Sequence, residues 1–346
     1  MPLDPSPPFI DLLRARGLVG TDGDPAIQLL QSRGDKTIHL VEGTGRALVV
    51  KQTFPGWSQV EARIQARMAV LAPRSVPAVL AELPEIHGFA MAYVDPLQAS
   101  PWGQAMDLGE PEDAQAARIG DWLGRLHLAT AGDPTLQRAA APNRKRAKED
   151  ASRLSLCCRQ HPGLRPIWQR TMAETFTRHV ALAHGDINPT NILVGDQPPV
   201  LIDFELAWYG DPAFDCGLMI RSLLERAMPP RRAAIRARLP RTVRAFATAW
   251  LRHVGWEPRL EAEDRALRIA LVATIGGYQE ALARVRRRPS QRAVQDVAAL
   301  TDLLLSPPLT LDRMTDVLAA LAIAPPADAD RSVQPVLQPV PGTHEG

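Results

Sequence analysis

Apolar and polar positions alternate through the first part of this chain, then give way to helical spacing. Ala26-Ile-Gln-Leu-Leu30 and Thr37-Ile-His-Leu-Val41 read as strands on either side of a polar turn containing Gly34. A second turn, Gly43-Thr-Gly45, leads into a third strand, Ala47-Leu-Val-Val-Lys-Gln52. Val60, Ile64, Met68 and Leu71 recur at near-helical intervals and predict a helix from about Ser58 to Leu71. Proline-punctuated strands follow, ending in Gly88-Phe-Ala-Met-Ala-Tyr-Val94, and Asp95-Pro96 with Ser100-Pro101 read as a linker.

Beyond the linker the period changes. Glu112 to Ala129 is a predicted helix with Ile119, Trp122, Leu123 and Leu126 on one side. Residues 131–150 are polar and basic, a loop feeding a helix near 147–160. Val180–Ala183 and Val200–Ile202 read as short strands, with Asn191–Val194 between them. From Cys216 to about Ala322 the pattern is helical, broken at Pro229-Pro230, Gly255 and Pro289. Pro325 to Gly346 has little apolar content and predicts a disordered tail. The expected fold class is α+β. A small lobe (residues 1–93) combines strands with one helix, a larger mainly helical lobe covers 94–323, and the tail is 324–346.

Composition narrows the partners. A chain of 346 residues, 45% apolar and 23% charged, has the balance of a soluble globular protein large enough for two lobes. A formal charge of +2 argues against nucleic acid or an anionic membrane as the main partner. Cys157, Cys158 and Cys216 lack metal-ligand spacing and are odd in number, so neither a zinc site nor a disulfide framework is indicated, which fits a reducing cytoplasm. The N-terminal Met1-Pro-Leu-Asp-Pro lacks the pattern of a secretory signal, and no apolar run approaches the roughly 20 residues of a membrane helix. Lysine is scarce: Lys36, Lys51, Lys145 and Lys148 are the only four.

The densest chemical signal is His184-Gly-Asp186-Ile-Asn188-Pro-Thr-Asn191, followed by Leu201-Ile-Asp203-Phe-Glu205. Only three asparagines occur in the chain (Asn143, Asn188 and Asn191), and two of them fall in the first stretch. Phosphoryl transfer from a nucleotide needs one carboxylate facing the accepting hydroxyl, and an amide plus a second carboxylate holding magnesium. Asp186 suits the first task as a base that orients the hydroxyl and accepts its proton. Asn191 and Asp203 suit the second, being hard oxygen donors on adjacent strand-edge loops. Glu205 stands open between sharing the metal, binding substrate and facing solvent.

Lys51 ends an apolar strand in a chain that otherwise favours arginine, which points to a compact ammonium for the α- and β-phosphates. Glu61, the only acid between Lys51 and Leu71, is its expected counter-ion, although Ser58-Gln-Val-Glu61 also matches a capping box. Ser32-Arg-Gly34-Asp-Lys36 is the candidate phosphate-covering turn. With a single glycine it is as readily an ordinary hairpin, and Ser32 or Lys36 is left to touch phosphate. His184 is expected to order its loop by hydrogen bonds. Asp215, in Gly210-Asp-Pro-Ala-Phe-Asp215, is expected to bond the backbone amides of that loop.

Together with Ile119-Gly-x2-Leu-x2-Leu-His127, these motifs resemble the aminoglycoside phosphotransferase and choline kinase-like superfamily over roughly residues 26–323. The resemblance implies a protein-kinase-like bilobal fold with ATP between the lobes. It places the adenine against the Met91–Val94 connection, Met91, Tyr93 and Val94 included. It also implies Asp186 as base, Asn191 and Asp203 as magnesium ligands, and Lys51 as phosphate contact. Protein kinases carry an arginine before the catalytic aspartate and a long activation segment. Gly185, and the eleven residues between Asp203 and Asp215, therefore argue against a protein substrate.

The acceptor class is less constrained, because one scaffold serves many substrates. Between Cys216 and Ile323 eighteen arginines stand against ten acids. That balance favours a neutral or anionic sugar-like or amino-alcohol metabolite over a polycationic aminoglycoside if the surplus lines the pocket, and it could equally sit on the outer face. The alternatives are an aminoglycoside phosphotransferase conferring antibiotic resistance and a nucleotide-binding regulator without turnover.

Overall fold

Period-two alternation in the first lobe closes into a five-stranded antiparallel sheet. The computed structural model describes residues 7–34, 36–43, 46–108, 113–140, 162–227, 233–285 and 291–323. The helix expected near 147–160, Cys157 and Cys158, the breaks at Pro229-Pro230 and Pro289, and the tail from 324 lie outside them. The strands are β1 (Ala26–Arg33), β2 (Lys36–Gly43), β3 (Arg46–Gln52), β4 (Val79–Leu83) and β5 (Gly88–Ala92), ordered β1-β2-β3-β5-β4. Each adjacent pair is antiparallel.

Because side chains alternate across a strand, β3 serves two faces. Leu48 and Val50 join Val41, Leu83 and Ala90 in a core against Phe9 and Leu13. Lys51, one residue on, meets the opposite side, where α2 (Trp57–Leu71) lies. Phe9 and Leu13 belong to α1 (Pro7–Ala15), an element the sequence reading missed, so the described residues of the lobe hold two α-helices and not one. Two prolines in the first turn hid it, yet an N-terminal turn tolerates proline because its N–H groups lack helical partners anyway. Their i, i+4 spacing puts Phe9 and Leu13 on one buried stripe.

The supposed linker also differs from expectation. Ala99–Pro101 is a strand, β6, at the edge of a three-stranded sheet with β8 (Ile192–Gly195) and β9 (Val200–Leu201). An edge position accommodates Pro101, which has no N–H to donate. A second small sheet pairs β7 (Ala181–Ala183) with β10 (Trp208–Gly210). The remainder is helical: α3 (Trp102–Asp107), α4 (Asp113–Thr130), α5 (Pro134–Ala140), α6 (Leu164–Thr177), α7 (Pro212–Ala227), α8 (Ala233–Leu251), α9 (Arg259–Val285), α10 (Gln291–Leu305) and α11 (Leu311–Ile323). Their inward stripes form the main core, to which α2 contributes Ile64 and Met68. That shared core and polar ties through Ser75 join the lobes: Leu201 N–H donates to its carbonyl at 2.8 Å, and the Trp122 indole to its hydroxyl at 3.0 Å.

Candidate active site

Lys51 sits at the junction of the lobes and is 1% exposed. Its ammonium donates to Glu61 Oε1 at 2.6 Å and to Asp203 Oδ1 at 2.5 Å, and lies 3.5 Å from Glu205 Oε2. The ion pair with Glu61 therefore forms and the capping box does not: α2 starts at Trp57, with Gly56 as its cap and no side-chain capping bond. Burial works against the Lys51 charge, but Glu61, Asp203 and Glu205 outweigh it and hold the ammonium well above the usual lysine range. Burial likewise pushes the Glu61 carboxyl up, and Lys51 pulls it back only in part. For Asp203 burial is overcome by Lys51 and then Lys36, which keep its carboxyl well below the usual range.

The loop after β7 is wired through its own backbone. Asn191 Nδ2 donates to the Asp186 carbonyl at 3.0 Å, and Asn188 Nδ2 donates to the same oxygen at 2.9 Å. Ile202 N–H donates to the Asn191 carbonyl at 3.1 Å, which sets Asp203 beside the loop. His184 orders both segments: its Nε2 bonds the Ile202 carbonyl at 3.0 Å, its Nδ1 accepts from Asp186 N–H at 3.3 Å, and its ring meets Phe204 edge-on. Gly185 has φ +78°, and a Cβ there would fall 2.3 Å from the Leu206 carbonyl oxygen, so only glycine fits. Asp203 itself has φ +69°, a left-handed conformation that is costly for a residue with a side chain.

Asp215, fully buried at the start of α7, accepts from His184 N–H at 2.7 Å and Gly185 N–H at 3.0 Å. A relay unforeseen in the sequence stands behind it. The Trp250 indole donates to His127 Nδ1 at 3.0 Å, which leaves Nε2–H to face Asp215 Oδ2 at 3.2 Å. The His127 position in its motif was visible in the sequence, but its partners come from two other helices, α7 and α8.

Next to the loop opens a cleft of about 180 Å³, lined by Asp186, Ile187, Asn188, Leu218, Arg221, Ser222 and Glu225. The last four residues fall at i, i+3, i+4 and i+7, one face of α7. Arg221 Nε donates to Glu225 Oε1 at 2.8 Å. The sequence reading named none of these four, since a polar stripe on a helix looks like a solvated face until a neighbour defines the cleft. The arginine surplus does not reach the cleft as the charge argument supposed. Among the described arginines of this stretch only Arg221 lines it, whereas Arg236, Arg244, Arg265 and Arg268 pair with Asp296, Asp312, Asp211 and Glu174.

The covering turn places Gly34 at φ +60° and Ser32 exposed on β1, opposite Thr37. Among the described residues of this turn, Lys36 reaches the site. Met91 ends in contact with the Gln65 amide at 3.5 Å, and Tyr93 and Val94 are half-buried just after β5.

The donors suit magnesium. With Nδ2 committed to a carbonyl, Asn191 keeps Oδ1 as an oxygen donor, and Asp203 and Glu205 add carboxylates. Among the described residues no group of three or more His, Cys, Asp or Glu side chains makes a ready-made cage. Magnesium needs none, because it commonly combines one or two carboxylates with phosphate oxygens and water.

The family model of the phosphotransferase enzyme family matches residues 27–257. No curated protein matches the chain in sequence. Among solved structures, a putative aminoglycoside phosphotransferase from Ralstonia eutropha is 13% identical, with a TM-score of 0.54 over 91% of this chain and 97% of that one. A choline/ethanolamine kinase family protein from Mesorhizobium loti is 17% identical, with a TM-score of 0.50 over 89% and 98%. Spectinomycin phosphotransferase in complex with ADP and spectinomycin is 12% identical, with a TM-score of 0.52 over 93% and 99%. At such identities the likeness establishes the fold, the protein-kinase-like bilobal arrangement expected above.

Proposed function

The chain belongs to the phosphotransferase enzyme family, and from that premise we propose that it moves the γ-phosphate of ATP, with magnesium, onto a hydroxyl of a small metabolite. The observation that carries this reading is the connected chain from Lys51 through Asp203 and Asn191 to Asp186, which opens on the cleft. Bound between the lobes, nucleotide and magnesium would supply the phosphoryl group and the cation that neutralises charge on its oxygens. Asn191 and Asp203 would hold the metal, with Glu205 beside them. Lys51, kept in place by Glu61, faces the phosphates. The half-buried Met91, Tyr93 and Val94 are assigned to the adenine. Asp186 orients the acceptor hydroxyl and takes its proton, worth roughly 10²–10⁴-fold in rate.

The acceptor we assign is sugar-like or an amino alcohol. The cleft mixes one guanidinium with carboxylates, a hydroxyl and an amide, the kind of few convergent polar groups that orient a small ligand. Near-balanced charge suits a neutral or singly charged molecule, whereas a polycation would require several unpaired acids. Magnesium-dependent ADP release across sugars, amino alcohols, hydroxy amino acids and aminoglycosides tests both parts. Stimulation by a sugar or amino alcohol is expected. Asp186→Asn should lose roughly 10²–10⁴-fold in turnover and retain nucleotide binding. Stimulation by aminoglycosides alone would replace the acceptor class, and wild-type rates in Asp186→Asn would remove the base assignment.

A further inference from the structure

Two of the chain's four lysines meet at one carboxylate. Lys36 opens β2 directly after the hairpin turn, and its ammonium donates to both oxygens of Asp203 at 3.0 Å and lies 2.9 Å from Glu205 Oε2. Lys51 donates to the same Asp203 Oδ1 at 2.5 Å. The Lys36 side chain is 16% exposed, so it is drawn from the hairpin toward Asp203 and Glu205 and does not extend into solvent.

This position sets up a conflict. A cation on Asp203 needs the oxygen atoms that Lys36 now bridges, and with Lys51 already on Oδ1 a further positive charge at the same carboxylate is repelled by both ammonium groups. Lys36 must then give way, and the acceptors it meets next are those of the phosphates. The hairpin has a further need for such a group. Its single glycine, Gly34, offers little bare backbone to approach a phosphate, so a side-chain cation is the remaining means of contact.

We infer that Lys36 is a movable counter-ion. It holds Asp203 and Glu205 before nucleotide binds, then turns to the phosphate oxygens once magnesium and nucleotide occupy the site. The inference rests on the nucleotide site proposed above. It follows that metal alone competes with Lys36, while metal brought with nucleotide gives the ammonium a new partner.

The test uses the full chain and manganese as a paramagnetic probe of the metal site. In Lys36→Met, Mn²⁺ titrated without nucleotide should bind about tenfold tighter than to wild type. The KM for ATP should rise about tenfold, the size expected for losing one charge-assisted contact, with the KM for the acceptor unchanged. Lys36→Arg should keep metal-only binding weak and recover part of the ATP affinity. A purely structural brace would lower the melting temperature and leave both binding constants alone, which would overturn the inference. Failure of wild type to bind Mn-ATP, with no difference from Asp203→Ala, would instead remove the nucleotide site and this inference with it. Wild-type binding of Mn-ATP with Lys36→Met indistinguishable from wild type in both titrations would remove the role of Lys36 only.

Discussion

At the scale of single residues, the contact between Lys51 and Glu61 carries the largest electrostatic stake. Both side chains are 2% exposed and meet at 2.6 Å. Taking two charges out of water is costly, and their attraction offsets that cost only while both are present. Lys51→Met alone should therefore destabilise the fold by roughly 3 kcal/mol, because Glu61 is left buried without its partner. Lys51→Met with Glu61→Leu should recover most of that loss while remaining inactive. Urea unfolding of the wild type, single and double variants measures this directly. A double variant as unstable as the single one would mean that packing, not charge, sets the stability here.

At the scale of elements, α2 is the bridge. It carries Glu61 to Lys51 and Arg67 toward α5, where Arg67 Nη2 donates to Asp133 Oδ2 at 2.5 Å. Asp133 also caps α5, accepting from Leu136 N–H at 2.8 Å. The hydrogen bond from Arg67 holds the Asp133 carboxyl below the usual range. An unfolded aspartate titrates near ~3.9, so below that pH the unfolded chain binds more protons than the folded one. The Asp133 contribution is then complete above about pH 4 and is lost as pH falls through the depressed folded value. Asp133→Asn keeps a capping oxygen and removes the charge, so its stability should fall less steeply than wild type between about pH 4 and 2. Asp133→Ala also loses the cap, at about 1 kcal/mol, at every pH. Denaturant titrations at stepped pH values separate the two effects, and parallel curves for wild type and Asp133→Asn would count against the pairing.

For the whole molecule, the lobes meet around the groups assigned to nucleotide. A ligand that binds only the folded form stabilises it by mass action, about 2.7 kcal/mol at a hundred times its dissociation constant. Magnesium with ATP should therefore raise the melting temperature, and Asp203→Ala should remove the magnesium-dependent part of that rise. Thermal scans with ATP, with and without magnesium, read this. An identical shift in Asp203→Ala would place the metal elsewhere.

The amino-acid order alone was enough for the period-two strands at residues 26–52, the helix after them, and the Asp186, Asn191 and Asp203 spacing. Those signals are local, since a strand or a loop motif is written in consecutive residues. It was also enough to favour Glu61 as the partner of Lys51, because no other acid lies nearby in the chain. Helix α1 escaped notice because two prolines mask a first turn that physically accepts them. The strand at Ala99–Pro101 escaped notice because its partner, Ile192–Gly195, lies some ninety residues away. Only tertiary structure decided that Lys36 reaches Asp203, that Trp250 and His127 stand behind Asp215, and that one face of α7 lines the cleft. Each joins residues distant in the chain, and such contacts exist only once burial has brought the separate elements together.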